Sequence, residues 1–482
     1  MTIEPIGIVT LLIGLLGLTL RPPLLVYIFL CFTLMGSAAA FVLDSLGGTN
    51  VSPAHLLLGF LAIKLLSDAE TRHRILEGLS YPGAGFWLLM TLIYALLSAY
   101  FLPRFFAGQT MIFSIRENLN FGIPLEPQTS NLTQSVYFLG DSLCFVVLCG
   151  YASTREGFQV LGTGALVAVT ANLVFAFLDL ATYFTNTTDL LAFVRNANYS
   201  LLNDNEVAGF KRIVGLFVET SSFSYFTLGF LAFAISLWSD GIKTRFTAVL
   251  VALSLTCLVF STSTTAYVGL AVFMSFFYLQ TLFLAVIHRR VTPQAAILFI
   301  GSPLLLALVV IAIALNDDYS GYILDLLNTM VFNKLSTSSG VERSSWNQQA
   351  LVNFFDTFGF GVGNGSMRAS SFPLAVLASF GFVGTLIFAV FFVRVFFQFH
   401  ASDDTMIAAY RRAARTACVA WIIGASISGA LVDLGLPFFI FAALACSRAA
   451  PSGAKFFAQS RQVMASFAKP QESLSQGQSA FG

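Results

Sequence analysis

The chain has 482 residues, 57% of them hydrophobic and 10% charged, and a formal net charge of +1. Soluble domains carry about a quarter charged residues, so this composition, with a mean hydropathy of +0.81, predicts a polytopic membrane protein rather than a soluble one. No block of Lys or Arg could track a phosphate backbone, which excludes a nucleic-acid binder. The six cysteines (Cys31, Cys144, Cys149, Cys257, Cys418 and Cys446) all lie in apolar runs, without disulfide or metal-site spacing. The histidines, His55, His73, His288 and His400, are scattered along the chain. Neither a metal nor another cofactor is expected.

Apolar runs long enough to span a bilayer fall near 6–20, 24–43, 53–66, 84–102, 134–152, 157–182, 223–238, 246–262, 265–287, 295–315, 372–398, 415–431 and 434–449. The run at 53–66 is short, and the last two, around Asp433, could form one broken helix. The count is roughly 12 to 14 spanning helices in an all-α fold. The chain opens Met-Thr-Ile-Glu-Pro without a basic segment, so its first run is expected to be a retained anchor. Residues 1–450 are expected to form a single transmembrane domain, and the polar tail 451–482 a disordered cytoplasmic segment.

Most of the 25 Lys and Arg residues fall between spans on one side, which the positive-inside rule makes cytoplasmic. The exceptions are Arg104, Arg116, Arg195, Lys211, Arg212, Lys334, Arg343 and Arg368. They sit in three long loops on the other side, at 103–133, 183–222 and 316–371, and loops of that length are usually functional or disordered. Loop acids such as Glu117, Asp189 and Asp318 could balance this charge. Three basic loops over one helical bundle instead suggest an anionic ligand.

The largest of these loops holds a polar island, 334–371. Ser339-Gly-Val-Glu342 has the form of a capping box. Trp346, Ala350, Phe354 and Phe358 follow at helical spacing, predicting an amphipathic surface helix of about 15 residues. The glycine-rich run 358–366 would end it, with Arg368 beyond. Arg343 then falls in the helix's first turn, where free N–H groups already favour an anion. Its bland alternative is an ion pair with Glu342 or a neighbouring loop acid. The glycine run resembles a phosphate-cradling loop only loosely, lacking the Lys-Ser/Thr ending of a P-loop.

The second loop ends Lys211-Arg212-Ile-Val-Gly-Leu-Phe-Val-Glu219. Glu219 at the mouth of a span needs a partner, Arg212 being one candidate, or is a base. Ser261-Thr-Ser-Thr-Thr265-Ala-Tyr267 forms a hydroxyl-rich turn on the same side; its hydroxyls could simply satisfy backbone groups. Asp141 and Asp179 lie in or near the ends of apolar helices, where each must pair or face water, so a transport pathway is an alternative.

In order, these stretches read K-R-x-x-G-L-F-x-E-x-S, S-T-S-T-T-A-Y and S-G-x-x-R-x-x-W-x-x-x-A…G-x-G-x-G-S. Over roughly 209–390 the chain resembles the O-antigen polymerase and O-antigen ligase superfamily of bacterial polysaccharide synthesis. The resemblance implies a GT-C-like membrane fold with large periplasmic loops, in the bacterial inner membrane. It implies a metal-independent glycosyltransferase whose donor is a glycan on undecaprenyl pyrophosphate. Arg212 and Arg343 would hold the pyrophosphate, joined by Arg368, Lys211, Arg195 and Arg116. Glu219, then Glu342, are the candidate bases. Membrane lipids and a chain-length-regulating membrane protein are the implied partners. Ligases of the superfamily usually carry a His after the glycine turn. Here Met367-Arg-Ala-Ser-Ser-Phe372 has none, favouring a polymerase over a ligase. A polysaccharide-lipid transporter or flippase is the alternative from a different class.

Overall fold

Proline opens several of the apolar helices, because its missing N–H costs nothing in a helix's first turn. Pro5, Pro22, Pro53, Pro373 and Pro437 all occupy such positions. The computed structural model describes residues 2–43, 48–115, 121–198, 201–202, 206–207, 210–288, 292–301, 336–398 and 404–448, with isolated positions between 303 and 321. Arg116, Lys334 and the tail 451–482 lie outside the described residues, as do parts of the expected span 295–315.

In chain order the helices are α1 (Pro5–Thr19), α2 (Pro22–Phe32), α3 (Pro53–Leu66), α4 (Ala69–Gly78), α5 (Ala84–Phe105), α6 (Thr129–Tyr151), α7 (Arg155–Phe184), α8 (Thr220–Ser239), α9 (Thr244–Phe260) and α10 (Thr264–His288). There follow α11 (Pro293–Ala296), α12 (Ser338–Asp356), α13 (Phe372–Phe397), α14 (Thr405–Ser428) and α15 (Leu436–Cys446). Only short antiparallel strands accompany them, including β1 (Thr2–Ile3), β2 (Phe41–Leu43) and β3 (Thr49–Val51) in one small sheet.

Six of the described helices, α5, α6, α7, α8, α10 and α13, are long and apolar enough to cross a bilayer. The chain is therefore a mostly helical protein of membrane type. The expected 12 to 14 spans are not reached by length alone, because α1, α2, α3, α9 and α15 are shorter apolar helices. The run 24–43 shows why. Helix α2 stops at Phe32, where the backbone finds partners elsewhere: the Ser37 N–H donates to the Leu216 carbonyl (3.0 Å) and the Ala39 N–H to Asn196 Oδ1 (3.0 Å). The chain then enters β2.

Without a water-driven force between helices in a bilayer, close packing must hold them together. Phenylalanine supplies much of it: Phe138, Phe380, Phe388 and Phe391 are buried, Phe138, Phe380 and Phe388 packing edge-on and Phe391 stacking nearly parallel on Phe388. Helix α8 runs through the core, and Trp421 of α14 lies flat on Gly229; a Cβ at Gly229 would come within 2.1 Å of the indole.

The bundle has two differently built ends. One is tied by Arg74 to the Ser153 carbonyl (3.0 Å), Arg155 to Asp404 (3.0 Å), Arg412 to Asp240 (3.0 Å) and Arg411 to the Ser447 carbonyl (2.7 Å). The other gathers the start of α6, the end of α7, the starts of α8 and α10, and α12 with its glycine loop.

Candidate functional site

At this second end, Asp179 near the C-terminus of α7 is the anchor. Its Oδ2 accepts from the backbone N–H groups of Val214 (2.8 Å) and Gly215 (3.1 Å). Its Oδ1 takes Arg195 (2.6 Å) and Lys211 (3.5 Å), and all three side chains are at most 5% exposed. Arg195 also donates to the Gly215 carbonyl (2.5 Å), and Lys211 to the Arg212 carbonyl (3.1 Å) while lying over the Tyr183 ring. This corrects the expectation that Arg195 and Lys211 face a phosphate. A buried carboxylate needs compensation, and these two cations supply it, pinning segment 210–219 to α7.

That pinned segment delivers Arg212 and Glu219. Arg212 donates to the Thr262 carbonyl (3.1 Å) in the hydroxyl-rich turn, and its buried Nε has no partner among the described residues. Glu219 caps the start of α8 and accepts from the Ser221 hydroxyl. Arg343 reaches within 4.0 Å of Glu219 Oε1, with the two side chains 31% and 35% exposed. Burial pushes the Arg212 guanidinium below its ordinary pKa; Glu219 opposes this and the charge of Arg343 adds to it. Among the described residues, two guanidiniums thus face one carboxylate.

These three groups line a cavity of about 250 Å³ with Thr220, Ser221, Ser263, Thr264, Thr265 and Ser339. The lining hydroxyls belong to the first residues of α8, α10 and α12, or directly precede them. Three helix N-termini therefore converge on one cavity, and each presents N–H groups and the positive end of its dipole. Thr262, in the turn beside it, holds a left-handed backbone at φ 50°, a strained geometry for a β-branched residue. Chemically, the cavity suits a multiply charged anion with a hydroxyl-bearing group beside it.

The polar island differs in detail from expectation. Its helix runs 19 residues, and Thr337 caps it by accepting from the Gly340 N–H (3.2 Å). Ser339 and Glu342 consequently lie within the helix and form no capping box, and Arg343 sits in the second turn. The face turned inward is partly polar. Asn353 is buried against the Thr110 hydroxyl (3.0 Å), and Gln349 donates to the Met111 carbonyl (2.7 Å). The outward face carries Leu351, Phe355 and Phe358, the last of these 80% exposed. Of the expected stripe, Ala350 is buried and Phe358 is not.

The glycine run is a backbone wedge. Gly363 and Gly365 have φ of 93° and 79°, and a Cβ on either would lie within 2.5 Å of the Ser98 or Ser130 carbonyl. The loop is thus pressed between α5 and α6. Asn131 of α6 fastens it by donating to the Asn364 carbonyl (2.7 Å) and to Ser366 (2.8 Å). Arg368, expected on the pyrophosphate, lies over the Trp346 ring at 4.7 Å and donates to the Ile115 carbonyl (3.2 Å). Burial lowers its pKa and the charge of Glu342 opposes that. Arg368 and Glu342 do not line the cavity that Arg212, Glu219 and Arg343 form.

Sequence reasoning thus found Arg212, Glu219 and Arg343, which come together. It missed the convergence of the helix starts, although the runs Thr220-Ser-Ser and Ser263-Thr-Thr directly before apolar helices signalled it. It also missed the fastening role of Asn131, one of several polar residues opening α6. Compared with known protein families, curated proteins and solved structures, the chain matches none.

Proposed function

We propose that the protein is a membrane glycosyltransferase of the polysaccharide-polymerase type, with a GT-C-like architecture and its site on the outer face of a bacterial inner membrane. The observation that carries this reading is the guanidinium pair Arg212 and Arg343, set at three converging helix N-termini with one carboxylate beside them. A pyrophosphate leaving group carries several negative charges, and this charge grows on the bridging oxygen as the glycosidic bond breaks. Guanidiniums and helix dipoles aimed at it stabilise that transition state. Most of the Lys and Arg residues fall in loops other than those at this end, which by the positive-inside rule supports an outer-face location for it.

In this reading a hydroxyl of a second lipid-linked repeat unit attacks the anomeric carbon of the donor glycan. The carbon–oxygen bond to the lipid pyrophosphate breaks, and its electron pair leaves with the phosphate oxygen. The attacking hydroxyl's proton passes to the Glu219 carboxylate, which the Ser221 hydroxyl orients. The hydroxyls of Ser263 and Thr265 are placed to hold the acceptor sugar. The absence of a loop histidine favours a polymerase over a ligase.

The experiment is a complementation assay with lipid-linked glycans resolved by length. Arg343→Ala should abolish chain extension while single repeat units accumulate on the lipid carrier. Normal chain length in this variant would overturn the assignment.

A further inference from the structure

Asp141 stands at the middle of α6, wholly buried, and makes no ion pair among the described residues. Among the described residues, no donor reaches either of its carboxylate oxygens. Two charged carboxylates at such a depth, with nothing between them, would be prohibitively costly. Yet a second carboxyl, Asp433, faces it: α6 packs against α15, into which Asp433 leads, His55 lies against Gly140 next to Asp141, and the Asp433 side chain is within hydrogen-bonding reach of Asp141. Asp433 lies in the non-helical break between α14 and α15, where its Oδ1 accepts the Gly435 N–H (2.6 Å).

The surrounding groups offer no alternative partner. The Tyr225 hydroxyl of α8 donates to the Leu434 carbonyl (2.8 Å), and the Tyr137 hydroxyl of α6 donates to the Asn50 carbonyl. From α3, His55 faces Asp433; its Nδ1 is hydrogen-bonded to Ser52 (2.8 Å) and its Nε2 has no partner. Cys144 is the remaining titratable neighbour of Asp141. A sodium or potassium ion needs about six oxygen ligands, as hard cations do, and this cluster lacks them. As two carboxylates the pair has no hydrogen bond; with one proton it has one.

We propose that Asp141 and Asp433 form an intramembrane proton-binding site in which the two carboxyls share one exchangeable proton, with His55 beside it. This goes beyond the glycosyltransferase reading and does not rest on it. The two elements joined by that proton also hold the glycine loop. Helix α6 fastens it through Asn131 (2.7 Å to the Asn364 carbonyl), and the break accepts the Ala369 N–H on the Ala430 carbonyl (3.0 Å). Losing the proton would set like charges between the loop's two supports, so proton occupancy is linked to loop position.

The test is infrared difference spectroscopy on the purified full-length protein in detergent, titrated in pH. The expected result is a protonated-carboxyl band at neutral pH that shifts in heavy water and disappears at alkaline pH. Asp141→Asn should remove it. Asp433→Asn should shift its frequency, because a lone buried Asp141 keeps its proton but loses the carboxyl partner, and Asp433→Glu should also move it. Absence of the band in the wild-type protein overturns the proposal, and this reading needs no variant to fold. An unshifted band in Asp433→Asn places the proton on Asp141 alone and also overturns it. Suppression of the band by added sodium at fixed pH would replace the proton with a cation.

Discussion

Two clusters of opposite charge lie within a few residues of each other, and they are balanced differently. In one, Asp179 is nearly inaccessible and takes two cations and two backbone N–H groups. In the other, Arg212 and Arg343 share the single carboxylate of Glu219, and Glu219 and Arg343 are each about a third exposed. Both set two cations on one carboxylate, but the first is buried, in contact and tied to the backbone, so it is a joint. The second is looser, partly exposed and opens on a cavity, so its charge stays available to a ligand. Lys211 and Arg212 are adjacent in sequence, yet one belongs to each.

The largest effect should come from breaking the joint. Asp179→Ala leaves Arg195 and Lys211 buried without their anion, which costs about 3–5 kcal/mol for a broken buried pair. The expected outcome is a collapse in folded yield and melting temperature, with activity lost as a consequence. An Asp179→Ala protein that melts normally but is inactive would erase the distinction between joint and site.

Arg212→Ala tests the other side. With its anion partner shared and its surroundings half open, the melting temperature should change little. Turnover should fall about 100- to 1000-fold, the usual cost of removing one donor to a developing oxyanion. Binding of inorganic pyrophosphate, followed by calorimetry, should weaken and become less dependent on salt. A large drop in melting temperature with unaltered pyrophosphate binding would make Arg212 another part of the joint.

Glu219→Gln separates two roles for one carboxylate. As the proton acceptor its loss should lower turnover about 100-fold or more, while removing its negative charge should strengthen pyrophosphate binding. If turnover rises along with binding, Glu219 only neutralises the arginines and the base lies elsewhere.

How much of this could be read from the sequence follows from the physics of each element. Apolar runs such as 84–102 and 372–398 were legible because a spanning helix satisfies its own backbone. The run 24–43 was not, since Ser37 and Ala39 find partners almost 160 residues or more away. Charge sidedness singled out the basic loops but could not divide Lys211 from Arg212, because that depends on where Asp179 sits. The glycines of the polar island were legible as a tight loop. Their occupation by the Ser98 and Ser130 carbonyls, rather than by a phosphate, depends on how three helices dock.

Arg368 provides the finest test of the comparison, because it belongs to neither cluster. Its guanidinium rests on Trp346 and donates to the Ile115 carbonyl, so its positive charge serves the seating of the glycine loop against α12. Arg368→Ala should therefore lower turnover at most about tenfold, the worth of one partly desolvated cation–π contact, and leave pyrophosphate affinity unchanged. Trp346→Ala should reproduce that effect, and the double variant should lose no more than either single one, since both remove the same contact. A loss as deep as that of Arg212→Ala, accompanied by weaker pyrophosphate binding, would mean that the loop closes over the anion during turnover. Arg368 would then join the site, and the cavity lined by Arg212 and Arg343 would be only its open half.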